Sequence, residues 1–206
     1  MRRMRIIPRQ GSGYPKGFSP GAGNIGSVTD AKESTGRGAT TTGSRARWIE
    51  FYCCEIIIME KTEFMKIALE EARKADGREE IPVGAVIVRE GRVIAASHNK
   101  NRMLKNPTRH AEIMAIEDAA SFIGNERLTG CDMFVTKEPC AMCAGAIVHA
   151  RIRKLYVGTR DARYGACGTV LSVCGNPALN HVPEIEFGIL EDECSDILKE
   201  FFKGKR

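Results

Sequence analysis

A chain of 206 residues with 43% apolar and 28% charged side chains holds enough material for one ordinary domain with some to spare, which excludes disorder throughout. The longest apolar candidate for a membrane span, Ile56-Ile57-Ile58-Met59, is ended by Glu60 and Lys61, far short of the ~18 residues a span needs. Eight unevenly placed cysteines exclude a disulfide-stapled mini-domain and point to a reducing compartment, and the net charge of +5 hides a division of the chain.

Residues 1–47 carry nine basic side chains against Asp30 and Glu33, so the remainder is slightly acidic. Gly, Ser and Thr dominate Gly11 to Ser44, without apolar periodicity. The segment lacks the continuous apolar stretch of a secretory signal and the amphipathic helix of a transit peptide. Residues 1–58 are therefore expected to be an extension outside the fold. It reads as an over-long translation start, a targeting or regulatory tail, or a basic nucleic-acid-binding arm. Residues 59–206 are expected to form the functional domain.

From Met59 the texture changes. Phe64, Ala68, Leu69, Ala72 and Ala75 recur at helical spacing, and Gly77 is placed to end the helix. Val83 to Val88 reads as a buried strand, turned by Glu90-Gly91 into a second, Val93 to Ala96. After a polar stretch, Thr108 is a candidate N-cap for a helix from Arg109 to about Phe122. Cys131 to Thr136 alternates as a strand does, and Pro139 suits the first turn of a helix from Cys140 to Ala150. Lys154 to Gly158 is another short strand. Leu190, Cys194, Ile197, Leu198, Phe201 and Phe202 mark a last helix, acidic at its start and basic at its end, as the helix dipole favours. Strands alternating with helices imply a layered α/β domain, and the hairpin makes its sheet mixed.

Two motifs stand at the starts of two of these helices: His110-Ala111-Glu112 and Pro139-Cys140-Ala141-Met142-Cys143. One imidazole and two thiolates suit Zn2+ and leave a fourth tetrahedral position for water. Cysteines three apart in a helical first turn share a face, where free N–H groups favour thiolate. Glu112 sits two residues beyond the histidine, within reach of such a water without being a ligand. Zinc lowers the pKa of a bound water to about 7, and a carboxylate beside it can carry the proton to a leaving amine. Alone, His110 would be a capping or core histidine, and Cys140-x-x-Cys143 half a structural site or a redox pair. No second cysteine pair of like spacing completes a four-cysteine site. Together, His-x-Glu followed by Pro-Cys-x-x-Cys is the known signature of zinc deaminases.

On these residues the chain resembles the bacterial tRNA-specific adenosine deaminases (TadA type) of the cytidine deaminase-like superfamily. The likeness runs from about Glu60 to the C-terminus. It includes Pro82 to Val86, Glu138 to Ile147, His149 to Ile152, Gly158 to Asp161, Gly165 to Gly168, Asn180-His181, Gly188 to Leu190 and Phe201-Phe202. The zinc motifs identify only the superfamily; the later segments point to the tRNA enzymes. Lys137, where the family more often has an apolar residue, and Thr169, in place of a usual Ser, depart from the pattern.

The resemblance implies a three-layer α/β/α sandwich around a five-stranded mixed sheet, and a homodimer. It implies conversion of the wobble adenosine of an arginine tRNA anticodon stem-loop to inosine, in the cytoplasm unless residues 1–58 direct the chain to an organelle. It makes His110, Cys140 and Cys143 the ligands of one Zn2+ per subunit, Glu112 the proton shuttle and Asn99 a hydrogen-bonding partner of the inserted base. Asp161 and the terminal helix become parts of the anticodon-loop surface, with Asp161 expected to accept a hydrogen bond from a ribose 2′-hydroxyl. Arg151, Arg153, Lys154, Arg160 and Arg163 form a basic group in the sequence, read either as phosphate contacts, Arg151 and Arg160 first, or as a solvated surface. Phe201 and Phe202 are candidates for base stacking or for the core. Two other functions share these features: a deaminase of a free base or nucleotide of the cytosine or guanine type, and a zinc-stabilised RNA-binding module without activity. Glu112 argues against the last, because a structural metal site needs no such carboxylate.

Overall fold

The computed structural model describes residues 60–77 and 79–203; residues 1–59, with Cys53 and Cys54, and Arg78, Gly204, Lys205 and Arg206 lie outside the described residues. Helix α1 is Lys61–Asp76 and buries Phe64, Met65, Ala68, Leu69, Ala72 and Ala75, the stripe its spacing predicts. Strand β1 (Gly84–Arg89) and strand β2 (Arg92–His98) pair antiparallel across Glu90 and Gly91, whose φ values of 52° and 72° are those a tight hairpin turn requires.

Helix α2 (Ala111–Ile123) begins two residues later than predicted, with His110 and not Thr108 at the N-cap position. The reason is an acceptor from elsewhere in the chain: Asn99, just past β2, accepts the Ala111 N–H on its Oδ1 at 2.9 Å. Strand β3 (Cys131–Lys137), helix α3 (Ala141–Ala150), strand β4 (Lys154–Thr159), strand β5 (Glu184–Phe187) and helix α4 (Glu191–Lys203) complete the domain. Pro139 lies just outside α3, and Cys140 takes its N-cap position.

The sheet runs in the order β2-β1-β3-β4-β5, with β1 antiparallel to both β2 and β3, and β3, β4 and β5 parallel. It is the five-stranded mixed sheet the resemblance implies. Side chains alternate between its faces. Ala85, Ile87, Met133, Val135, Leu155 and Val157 pack with α2 and α3, whereas Val86, Val88, Phe134 and Tyr156 pack with α1 and with Cys194 of α4. Close contact on the second face depends on two glycines. A Cβ on Gly84 would overlap the backbone of α1 at Ala68 and Ala72, and one on Gly158 would come within 2.6 Å of the Thr136 carbonyl and 2.8 Å of the Cys194 Cβ.

Candidate metal and active site

One edge of the sheet gathers the ends of four strands. Parallel β3 and β4 finish there at Lys137 and Thr159, β2 finishes at His98, and β1 starts at Gly84. The amino ends of α2 and α3 open onto this edge, the usual place for a ligand in an open α/β sheet. His110 precedes α2, Cys140 precedes α3, and Cys143 sits one turn in.

His110 Nδ1 lies 3.7 Å from Cys140 Sγ and 3.5 Å from Cys143 Sγ, and the three donor atoms fall within 4.8 Å of one another. Tetrahedral zinc with bonds of about 2.0–2.3 Å separates its nitrogen and sulfur ligands by roughly 3.6 Å, so the residues fit that ion. Two soft sulfurs and an imidazole are also a donor set zinc prefers. The Cys143 S–H donates to Cys140, which pushes the Cys140 thiol down to about 3 against the opposing effect of burial. Cys143 is pushed the other way, by that same bond and by burial. His110 is raised by its bond to Cys140.

Glu112 lies in the first turn of α2 and is 3% exposed. Its Oε2 has no hydrogen-bond partner among the described residues. Leaving a buried polar atom unmatched costs about 1–3 kcal/mol, so this oxygen marks where a ligand or water is handled. Burial holds its carboxyl above the usual range, the condition of a group that must both take and give a proton.

The cleft above these residues is lined by Asn99, Lys137, Asp161, Arg160, Tyr164 and Phe202, among others. Asn99 does structural work there: besides capping α2, its Nδ2 donates to the Ile81 carbonyl at 2.9 Å. Asp161 is 7% exposed; its Oδ2 pairs with Lys137 at 2.6 Å and its Oδ1 accepts the Arg163 N–H at 2.9 Å. Both oxygens are engaged, each with a further lone pair, and the residue lies in the cleft lining. Burial opposes its ionisation, but Lys137 and the Arg163 and Tyr164 N–H groups outweigh this and hold it below the usual carboxylate range.

The sign of the resulting pH dependence follows. A depressed folded pKa stabilises the protein above the unfolded value of 3.8, and the contribution is lost as pH falls through the lower folded value. Lys137→Met is expected to cost about 1–2 kcal/mol at pH 7. The difference from wild type should shrink below pH 4, as urea titrations at pH 7 and pH 3 would measure. A constant difference would mean that the pair contributes nothing.

The two phenylalanines part company: Phe201 is buried and Phe202, 47% exposed, lines the cleft. The basic group is also divided. Arg160 and Arg163 line the cleft, with the Arg160 guanidinium 3.9 Å from the centroid of the Phe187 ring and 3.2 Å from Thr169 Oγ1. Lys154 begins β4 at the opposite edge of the sheet, about 17 Å away for a six-residue strand. Arg153 and Lys154 are paired there with Asp132 and Glu184, and Arg151 ends α3 outside the cleft. The strand between them separates what the sequence places together. Beside Arg160 and Arg163 the fold brings to the rim Lys203, at the basic end of the terminal helix, and Arg102 and Lys199, which no local motif singles out.

Residues 59–159 match the family model described as the cytidine and deoxycytidylate deaminase zinc-binding region. The chain is 48% identical over 147 residues to a tRNA-specific adenosine deaminase of Agrobacterium fabrum, covering 71% of this chain and 97% of that one. It is 43% identical over 148 residues to one of Aquifex aeolicus, covering 72% and 97%. Among solved structures, one from work on A-to-I editing by tRNA:A34 deaminases at the wobble position of transfer RNA aligns with a TM-score of 0.65 at 48% identity, over 67% of this chain and all of that chain. A guanine deaminase from Nitrosomonas europaea shares the fold, with a TM-score of 0.58 at 22% identity over 69% of this chain and 84% of that chain.

Proposed function

The chain belongs to the tRNA-specific adenosine deaminase family, and from that premise we propose that it converts the wobble adenosine of a tRNA anticodon to inosine by hydrolysis. Water adds its oxygen at the purine C6, the C6–N bond breaks, and ammonia leaves. The cofactor is zinc, for which His110, Cys140 and Cys143 are the proposed ligands. When bound, zinc supplies the Lewis acidity that makes water a nucleophile near neutral pH.

The observation that carries the mechanism is the buried, unmatched Oε2 of Glu112 beside the three donors. In this reading Glu112 carries one proton of the attacking water to the ring nitrogen and then the second, from the hydroxyl formed at C6, to the departing amine. Asn99 orients the base through its remaining amide hydrogen and fixes the start of the helix that carries Glu112. An anticodon loop presents its bases unpaired, so seating one in the cleft avoids the cost of extracting it from a duplex. Arg160, held against Phe187 and Thr169, is aimed for phosphate, and the exposed ring of Phe202 offers a stacking face. Among the described residues no helix is long and apolar enough to cross a membrane.

An arginine tRNA substrate, a homodimer and a cytoplasmic location complete the proposal. Val170, Leu171, Leu179 and Val182, exposed on the connection between β4 and β5, suit a subunit contact that light scattering can detect. The test of function is sequencing of tRNAs incubated with the zinc-loaded protein. Adenosine-to-inosine conversion at the wobble position, with no release of ammonia from free cytosine or guanine, is the expected result. The reverse pattern would overturn it in favour of a free-base deaminase. Residues 59–206 alone are expected to retain this activity, since the sheet, its two cores and the candidate site are all built from residues beyond 59. Loss of tRNA activity on truncation would instead assign those residues a part in binding.

A further inference from the structure

We propose that Glu138 is a positioning residue, which fixes one wall of the substrate cleft to the metal-binding segment and so presents Tyr164 to the RNA. Glu138 opens the strand-to-helix junction, two residues before Cys140, and is 3% exposed. Its carboxylate accepts three backbone N–H groups of a single loop: Oε2 takes Asp161 at 3.1 Å, and Oε1 takes Cys167 at 3.0 Å and Thr169 at 3.2 Å. The backbone on either side repeats the attachment, with Glu138 N–H donating to the Thr159 carbonyl and Ala166 N–H to that of Pro139, both at 2.9 Å.

The loop is built around this carboxylate. A Cβ at Gly165 would overlap it and would also come within 2.6 Å of the Asp161 carbonyl, so only a residue without a side chain lets the loop close this far. A carboxylate is expensive to bury, and three donors from one loop offset that cost only while the loop keeps its shape. The outer side of the loop carries Arg163 and Tyr164 into the cleft lining, and Tyr164 is 68% exposed there, on the same cleft as Phe202. A ring held ready for a flanking base loses little freedom on binding, which lowers the cost of association. Glu138 therefore acts through the loop on RNA binding, and leaves bond breaking to the groups beneath.

This inference rests on the deaminase reading, but its first readout does not. In zinc-loaded Glu138→Gln and Glu138→Ala, hydrogen exchange at the Asp161, Cys167 and Thr169 amides is expected to accelerate about tenfold or more, the equivalent of one lost charge-assisted bond. Amides of α2 and α3 should keep their protection. The glutamine variant should exchange less than the alanine one, because its single carbonyl oxygen can still accept two of the three donors. Gly165→Ala, which pushes on the same contact from the loop, should reproduce the effect.

On an anticodon stem-loop, Glu138→Ala should raise KM about tenfold with kcat within about threefold of wild type. Tyr164→Ala should raise KM in the wild-type background and by less than about twofold more in Glu138→Ala. Unchanged exchange at the three amides, a fall in kcat at constant KM, or full additivity with Tyr164→Ala would each overturn the proposal. A wild-type protein inactive on the stem-loop would remove the deaminase reading, while the exchange result still decides whether Glu138 clamps the loop.

Discussion

Glu112→Ala should lower deamination by about 10²–10⁴-fold, the usual value of a positioned proton carrier, while the protein keeps its zinc. The two effects separate because the side chain is no member of the three-donor cluster. Its Oε2 is buried without a partner, so removing the carboxyl relieves an unmatched buried polar atom. Stability should therefore fall little, or rise. Glu112→Gln refines the test: it keeps the volume and an acceptor oxygen but cannot take a proton, so it should be nearly as inactive as the alanine variant. The measurements are single-turnover conversion of a stem-loop, zinc content by atomic absorption, and the thermal midpoint. Normal turnover in either variant, or a loss of zinc from it, would remove Glu112 from its assigned role.

How much of this is legible in the sequence depends on the range over which each signal acts. The stripe of α1 and the hairpin turn at Glu90-Gly91 are local patterns, and the structure reproduces them. The short motifs at His110 and Cys140 announce a metal site because a ligand set needs its residue types at fixed spacing, wherever the chain carries them. Strand β5 escaped: its four residues, Glu184-Ile185-Glu186-Phe187, form an edge strand with glutamates on alternate positions, too brief and too polar for a periodic signal.

Long-range partners are the other blind spot. Nothing near Ala111 reveals that Asn99 caps its helix, and nothing near Asp161 reveals that Lys137, an unusual residue for its position, takes one of its oxygens. The basic group from Arg151 to Arg163 is divided for a geometric reason: a strand between charges is a rigid spacer, so Arg160 and Arg163 reach the cleft while Lys154 stays at the other end of β4. Arg102 and Lys199, distant in sequence, join Arg160, Arg163 and Lys203 at the rim only through the fold.

The same separation of elements makes the metal a fastener, and Cys143→Ala tests that. His110 stands at the head of α2, and Cys140 and Cys143 at the head of α3, so an ion held by all three ties two helices that otherwise meet only through packing. Structural zinc sites supply about 10–16 kcal/mol in small domains that have little else. Here a buried core spans both faces of the sheet, so the domain is expected to stay folded but with a lower midpoint. The sulfur is fully buried, and its removal alone would cost about 1 kcal/mol in packing. Chelation separates the two contributions. A strong chelator should lower the midpoint of wild type and of Glu112→Ala by the same amount, and leave Cys143→Ala, which has no ion to lose, unchanged. If Cys143→Ala still binds zinc and still responds to the chelator as wild type does, Cys143 is a packing residue and the third ligand lies elsewhere.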